Sequence, residues 1–562
     1  RFDGERVHLP QASHDASRAY AESGMLAAAQ DYEIGGMQLP FVVQMAANGF
    51  FAHAGGNVAG GAMLTSGNAN LLMAYGTKLQ RQVFAANEFG GRFSGTMCLS
   101  EPQAGSSLSD VATRATPDGD DFEHDPLGPR YRLRGNKMWI SNGEHELTEN
   151  IVHLVLAKIP GPDGKLVAGV RGISLFIVPK KLVDEKGELT GERNDVALAG
   201  LNHKLGYRGI PNTLLNFGEG RYPVRGEAGG GLDGAGAGAV GYLVGQPGEG
   251  LRCMFHMMNE ARIAVGLGAT MIGYAGYEAS LDYAKTRPQG RPIGIGGKDA
   301  TKPQVPIIEH ADIKRMLLAQ KSYCEGALAL ALYCARLVDE QASGTPEAAA
   351  EAGLLLEMLT PIAKSWPSEW CLEANSLAIQ VHGGYGYTRD FPVEQYWRDN
   401  RLNMIHEGTH GIQALDLLGR KVVMQEGAGL ALLVGKVSAT IARARAVPAL
   451  AAHAEALAAA LAHLGAATRA AWSTGSPVEA LANATPYLQA FGHTVLAWIW
   501  LDVALCARAR LAQATTADAA LLQGKLAACT YFFRYELPRI GAWLKVVETR
   551  DPTCRTMDEA WF

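Results

Sequence analysis

The sequence predicts a mainly α-helical protein with a central antiparallel β domain, and three observations carry that reading. Apolar residues recur at helical spacing through residues 15–90 and again over 251–287, 310–341, 349–383 and 411–424. Between these stretches, residues 92–99, 130–140, 151–158, 172–178 and 213–217 form short runs rich in β-branched and apolar side chains. Turns such as Gly161-Pro-Asp-Gly164 separate them, as in an antiparallel sheet. Past Gly427 the chain becomes alanine-rich, and residues 449–471, 485–513 and 518–547 predict a further antiparallel bundle.

The expected organisation follows in order: a helical domain over residues 1–90, a middle β domain over 91–220, a Gly/Ala-rich insertion over 221–245, a four-helix bundle over 246–425, and an extra helical domain over 426–562. A chain of 562 residues is too long for one small domain. It opens on Arg1 rather than methionine, so its first domain is expected to lack residues at its start. A 48% hydrophobic and 19% charged composition describes an ordinary packed protein, not a disordered one. A net charge of −5 gives no electrostatic reason to expect nucleic acid as a partner. None of the eight cysteines forms a Cys-x-x-Cys pair, so reduced thiols and a cytoplasmic location are expected. Residues 487–506 are the most membrane-like stretch, but Gln489, His493 and Asp502 lie within it. A buried helix is expected there and no membrane span.

Several short motifs bear on chemistry. Gly236-x-Gly238-x-x-Gly241 matches a dinucleotide fingerprint in spelling, but more Gly and Ala precede it where a strand is required, so it reads as a loop. In Met97-Cys-Leu-Ser-Glu-Pro-Gln-Ala-Gly-Ser-Ser107, Ser100 closes an apolar strand and a turn follows. Amides and hydroxyls at a strand end can hold a phosphate or a heterocycle edge, or simply cap the turn. Asn136-Lys-Met-Trp139-Ile140-Ser141-Asn142-Gly143 ends a strand on an aromatic and a hydroxyl. Its tryptophan is either core or the wall of a planar ligand's site. Gln380-Val-His-Gly383-Gly384 ends a helix on two glycines, which cap it or admit a phosphate or ribose close to backbone. His406-Glu407-Gly408-Thr409-His410 spells a zincin metal motif.

Taken together and in this order, these segments resemble the acyl-CoA dehydrogenase family. They match its "TEP-x-AGS" turn, its "W-I-T/S-N-G" strand end, its "Q-x-x-GG-x-G" segment and its "EGT" glutamate. The resemblance covers residues 32–424 and takes in Glu260-Ala-Arg262, Arg287-Pro-Gln289-Gly290-Arg291 and His310-Ala-Asp-Ile-Lys-Arg-Met-Leu317. The alanine-rich tail is similar to the subgroup typified by 3-methylthiopropanoyl-CoA dehydrogenase, which carries an extra C-terminal helical domain.

The resemblance implies FAD, bound between the middle β domain and the helical domain that follows. Leu99 and Ser100 would meet the pyrimidine side of the flavin, Trp139 and Ile140 would lie at the ring, and Ser141 would bond near N5. Ser106 would sit where the pyrophosphate and the acyl-CoA pantetheine approach. Arg287 and Gln289, with Gln380, Gly383 and Gly384 from a neighbouring subunit, would hold the ADP half, and Thr409 would face the phosphates. A cofactor shared in this way implies at least a homodimer. Asn259 and Arg262 would contact the acyl-CoA substrate. Glu407 would be the base that removes the α-proton as the β-hydride leaves for the flavin, yielding the 2-enoyl-CoA. Some relatives carry the base on the earlier helix, where this chain has Ala261, with Glu260 beside it. The tail's resemblance suggests a short or methylthio-substituted acyl group, and an electron-transfer flavoprotein as acceptor.

Two other functions remain to be weighed. A zinc metalloprotease would use His406 and His410 as ligands, with Glu407 as base, and needs both histidines one helical turn apart. Gly408 and Thr409 are weak helix formers, and no third ligand has recognisable spacing, so no metal site is expected. An oxidase or DNA-associated flavoprotein would keep the fold and change the reaction. Arg443, Arg445, Arg508, Arg510 and Arg534 are interspersed with alanine and read as solvated helix faces.

Overall fold

Two strands explain why part of this chain reads as continuous apolar sequence. Both β4 (Asn150–Lys158) and β5 (Ile173–Pro179) are buried at every position, so neither shows the alternation of a half-exposed strand. They belong to an eight-stranded sheet with β1 (Phe93–Cys98), β2 (Arg114–Pro117), β3 (Arg130–Ser141), β8 (Val196–Leu201), β9 (Asn212–Phe217) and β10 (Ala239–Val244). The order is β1-β4-β5-β10-β3-β9-β8, with β2 set against β3 and β4. A separate hairpin joins β6 (Lys181–Val183) to β7 (Leu189–Arg193).

This computed structural model describes residues 1–224, 237–255 and 258–562. It divides into two compact units, Arg1–Ala261 and Arg262–Phe562. The first holds the sheet, preceded by α1 (Gln11–Glu22) and by α2 (Phe41–Tyr75), whose helical path breaks at Gly55.

The sheet departs from expectation in two ways. Strands β1 and β4 pair in parallel, from Phe93 opposite Asn150 to Cys98 opposite Val155, so the sheet is mixed rather than wholly antiparallel. The long connection between them, which includes β3, makes the parallel arrangement possible. Second, the β domain does not end at residue 220. Strand β10 lies inside the supposed insertion and is a central strand, between β5 and β3. Its Gly241 packs so tightly that a Cβ there would lie 2.5 Å from Leu133. The small residues that made this stretch look like loop are what the close packing requires. Gly236 and most of the Gly/Ala tract lie outside the described residues, whereas Gly238 leads directly into β10.

The long helices that follow are α3 (Met258–Thr286), which starts four residues before the second unit, α4 (Ala311–Ser343) and α5 (Pro346–His382). The expected fourth helix of the bundle is shorter than its periodicity suggested. It is α6 (His410–Asp416), continued by a π-helical turn over Leu417–Lys421. The tail supplies α7 (Ala428–Arg445), α8 (Ala451–Ala471), α9 (Ala484–Leu511), α10 (Thr516–Tyr531) and α11 (Ile540–Glu548). Helix α9 is long and apolar enough to cross a membrane, but 78% of its apolar window is buried within the protein. Several of its polar groups find partners there. Trp498 donates to Thr440 Oγ1 and Trp500 to the carbonyl of Ser322, both at 3.0 Å, and His493 accepts from Trp366 Nε1 at 3.1 Å.

Candidate active site

Glu407 sits in a strained turn between a 3-10 turn (Arg401–Met404) and α6. Its φ is +54° and that of Gly408 is +85°, two successive left-handed residues where a non-glycine residue is disfavoured by about 1–3 kcal/mol. The surrounding structure holds them there. Gln413 Nε2 donates to the Glu407 carbonyl at 3.0 Å, and Lys364 Nζ donates to the Gly408 carbonyl at 2.7 Å. Both donors are fully buried. Thr409 caps α6, its hydroxyl accepting from the amide of Ile412 at 3.4 Å.

The Glu407 side chain itself is exposed, which leaves its carboxylate open to a ligand. Protein nonetheless surrounds it, and desolvation raises its pKa above the ordinary glutamate value, against the charges of Lys364 and Arg262, which pull it down. Burial in turn pushes Lys364 down to about 8, with the Glu407 charge opposing that shift. A carboxylate on a fixed backbone, in an exposed residue and with its pKa raised, suits a general base.

A ladder of buried amides ties this turn to the helices behind it. His406 Nε2 lies 2.9 Å from Asn403 Oδ1, and Asn403 donates to Asn400 Oδ1 at 2.9 Å. Asn400 bonds Asn375 Oδ1 on α5 and the Ala269 carbonyl on α3, and Asn375 bonds the Ile272 carbonyl. Burial drives His406 down to about 3, so the ring is neutral, and facing an amide oxygen its Nε2 carries the hydrogen. The zincin geometry is absent from this segment. His406 precedes the left-handed turn and His410 opens α6, so no single helix carries both. His406 faces Asn403, while His410 lies 3.1 Å from Glu369.

Arg262, expected to face the substrate, is buried and paired with Asp416 of α6 at 2.8 Å. That pairing anchors α6 beside the glutamate. Asn259 and Glu260 lie on the first turn of α3, both half-buried, and burial pushes Glu260 up to about 7.

In the first unit the register of β3 against β9 shifts between Lys137 and Ile140. This bulge puts Trp139 at φ +66° and leaves it 60% exposed. An exposed indole at a strand end is able to stack against a planar group. Ile140 is different. Its side chain is in the core, so only its backbone is available to a ligand, and its carbonyl already accepts from Thr213 Oγ1 at 2.9 Å. The neighbouring strand end is pinned beside Trp139: Met138 donates to the Ser100 carbonyl at 3.0 Å. Buried Lys137 bonds both the Leu99 carbonyl and Glu101, at 3.0 and 2.9 Å. Leu99 and Ser100 are half-buried, Ser106 is exposed, and Ser141 accepts from Asn212 at 3.4 Å.

Arg287, Gln289, Gly383 and Gly384 line one concavity of about 510 Å³ with Tyr283 and His382, whose rings stack at 4.3 Å. These residues converge within a single chain, whereas the resemblance implies that Gln380, Gly383 and Gly384 come from a subunit other than that of Arg287. They meet because residues 287–289 run beside 305–307, with Ile307 donating to the Arg287 carbonyl at 2.9 Å, next to the end of α5. A Cβ added at Gly383 or Gly384 would meet open space, so backbone is accessible there. Gln380 is exposed on the last turn of α5 and does not line the concavity.

Residues 96–219 match the family model described as acyl-CoA dehydrogenase, middle domain. Residues 298–422 match acyl-CoA dehydrogenase, C-terminal domain, and residues 433–558 match acetyl-CoA dehydrogenase C-terminal like. The chain is 37% identical over 546 residues to 3-methylmercaptopropionyl-CoA dehydrogenase of Ruegeria pomeroyi, covering 96% of this chain and 86% of that one. The chain belongs to the acyl-CoA dehydrogenase family. It is also 32% identical, over 99% of its length and 88% of the relative's, to the broad-specificity linear acyl-CoA dehydrogenase FadE5 of Mycobacterium tuberculosis. Among solved structures, Caenorhabditis elegans ACDH-11 in complex with C11-CoA matches with TM-score 0.72 at 20% identity, over 96% of this chain and 84% of that one. An acyl-CoA dehydrogenase complexed with FAD from Bacillus anthracis matches with TM-score 0.73 at 19% identity, over 96% and 83%. Both show the shared acyl-CoA dehydrogenase fold.

Several residues around Glu407 carry little signal in the sequence of this acyl-CoA dehydrogenase family member. Lys364 stands in an apolar helix run, Pro361-Ile-Ala-Lys-Ser-Trp366, and that lone charge was the available signal. Gln413, Asp416 and the Asn375–Asn400–Asn403 ladder carry no pattern that identifies them one at a time.

Proposed function

We propose that this chain is an FAD-dependent acyl-CoA dehydrogenase that converts an acyl-CoA thioester to its 2-enoyl-CoA with Glu407 as the base. The observation that carries the proposal is the Glu407 turn: an accessible carboxylate with a raised pKa on a backbone fixed by Lys364 and Gln413. When bound, FAD supplies the acceptor for the hydride that leaves the β-carbon. Glu407 takes the α-proton, so the substrate loses one proton and one hydride and gains the Cα–Cβ double bond. The residues present suit such a cofactor. The exposed Trp139 face, with Leu99, Ser100 and Ser141 near it, fits a planar ring with polar edges. The concavity at Arg287, Gln289, Gly383 and Gly384 offers a cation and open backbone to a nucleotide. Ser106 and Thr409 each present a hydroxyl that suits a phosphate.

For the substrate we infer a short or methylthio-substituted acyl-CoA, by likeness to the Ruegeria pomeroyi relative. A wider range of linear chains is the second reading, by likeness to the Mycobacterium tuberculosis one. We further infer a homo-oligomer, in keeping with the exposed Ile293, Ile295 and Tyr387. A cytoplasmic setting is in keeping with eight free cysteines, and an electron-transfer flavoprotein as acceptor follows from the family resemblance alone. Anaerobic titration of the flavin-loaded protein with acyl-CoAs of graded length tests the reading. Bleaching of the flavin bands that is fastest with short or 3-methylthio chains is expected, and no bleaching with any acyl-CoA contradicts it.

A further inference from the structure

Helix α6 follows Glu407 directly, and residues of the C-terminal extension reach its surroundings in two places. At its start, His410 Nε2 lies 3.1 Å from Glu369 Oε2 of α5. The same carboxylate oxygen accepts a hydrogen bond from Gln489 Nε2 of α9. Gln489 is fixed from its other side, since its Oε1 accepts from Trp370 Nε1 at 3.1 Å. A planar amide engaged at both ends has little freedom, so a tail residue fixes the Glu369 carboxylate 3.1 Å from His410, an ion-pair distance without hydrogen-bond geometry. At the far end of α6 the π-helical turn shifts the backbone hydrogen-bond pattern, and Trp472, the cap of α8, donates its Nε1 to the Leu418 carbonyl at 3.2 Å. Close by, a Cβ at Gly419 would lie 3.3 Å from Leu481 of the tail.

We propose that the C-terminal extension positions the catalytic glutamate, with Gln489, acting through Glu369 and His410, as its positioning residue. Gln489 touches no reacting atom. Its role is to fix the start of α6, three residues past Glu407, so that the left-handed turn has one geometry. The inference rests on the proposed role of Glu407, and its test includes a measurement that does not depend on activity.

The experiment compares the full-length FAD-loaded protein with its Gln489→Met and Gln489→Glu variants. Methionine keeps the volume and loses the amide, while glutamate sets a second carboxylate against Glu369. Hydrogen exchange of the peptide spanning residues 405–413 is expected to speed up about tenfold in Gln489→Met, with α9 itself unchanged. Flavin reduction at saturating acyl-CoA is expected to slow on the order of tenfold to a hundredfold, with FAD content and half-saturating acyl-CoA retained. Gln489→Glu is expected to exceed Gln489→Met in both. Unchanged exchange at 405–413 overturns the proposal whatever the activity. Equal loosening across α9 overturns it too, because that marks general destabilisation. Faster exchange with an undiminished reduction rate separates the tail from catalysis and also overturns it. If wild-type protein is not bleached by any acyl-CoA, the proposed reaction fails, while the exchange comparison still decides whether Gln489 holds the turn.

Discussion

Lys364 Nζ donates to the carbonyl oxygen of Gly408 at 2.7 Å, one residue beyond Glu407. The contact acts in two ways. It holds the backbone of a left-handed turn, and it brings a buried positive charge near the carboxyl that the reaction needs ionised.

Replacing Lys364 with methionine separates those effects. Its charge favours ionised Glu407, so its loss leaves desolvation less opposed and raises the glutamate pKa further. A base must be ionised to act, so the acid limb of the rate of flavin reduction moves to higher pH. A pH-rate profile checks the sign, and a limb that stays in place or moves to lower pH rules out the electrostatic role. The unmet Gly408 carbonyl also costs about 1–3 kcal/mol, partly offset by removal of a buried charge.

At Gly408 an alanine meets two obstacles. The φ of +85° disfavours any side chain, and the new Cβ would lie 2.6 Å from Gln413 Nε2. The buried Gln413 must then give up its bond to the Glu407 carbonyl. We expect Gly408→Ala to lose roughly 1–3 kcal/mol of stability in denaturant unfolding and about tenfold or more in reduction rate. Wild-type values in both would remove the need for the left-handed turn.

Asp416→Ala is expected to be the costliest of these changes for folding. It leaves Arg262 buried without its partner, at about 3–5 kcal/mol by denaturant unfolding. Replacing both residues, with Arg262→Met and Asp416→Leu, is expected to recover much of that loss. A double variant as unstable as the sum of its parts would show that the two residues act independently.

The fold is legible in the sequence where periodicity is strong and hidden where packing overrides local pattern. Strands β1, β3, β4, β5 and β9 announced themselves as apolar runs bounded by turns. Strand β10 did not, because the Gly241 that lets it fit against Leu133 looks locally like loop. Short β2 exposes most of its residues, so it offered no alternation to read. At the site, residues quoted in short motifs, Trp139, Arg287, Gly383 and Glu407 among them, were legible. Those that fix Glu407 from a distance were not. Lys364 lies 43 positions before Glu407, and its partner is a backbone carbonyl, which leaves no trace in residue type. Arg262 is legible as a residue, but its pairing is not, since nothing local reveals that Asp416 will face it.

The most direct test of the central claim is the anaerobic reduction of bound FAD by acyl-CoA in Glu407→Gln, with Glu260→Gln alongside. Glu260 is the informative control, since burial pushes it up to about 7 and it stands beside the position that serves as base in some relatives. Because Glu407 has a raised pKa in the fold, the folded chain holds its proton more tightly than the unfolded chain. Its contribution to stability therefore falls as pH rises from the unfolded value toward the folded one, and Gln does not have that loss. Glu407→Gln is thus expected to be at least as stable as wild type at neutral pH and to retain FAD and acyl-CoA binding. It should reduce its flavin slower by roughly 10²–10⁴-fold, while Glu260→Gln reduces near the wild-type rate. Reduction at the wild-type rate in Glu407→Gln, with the loss appearing in Glu260→Gln instead, would contradict the account.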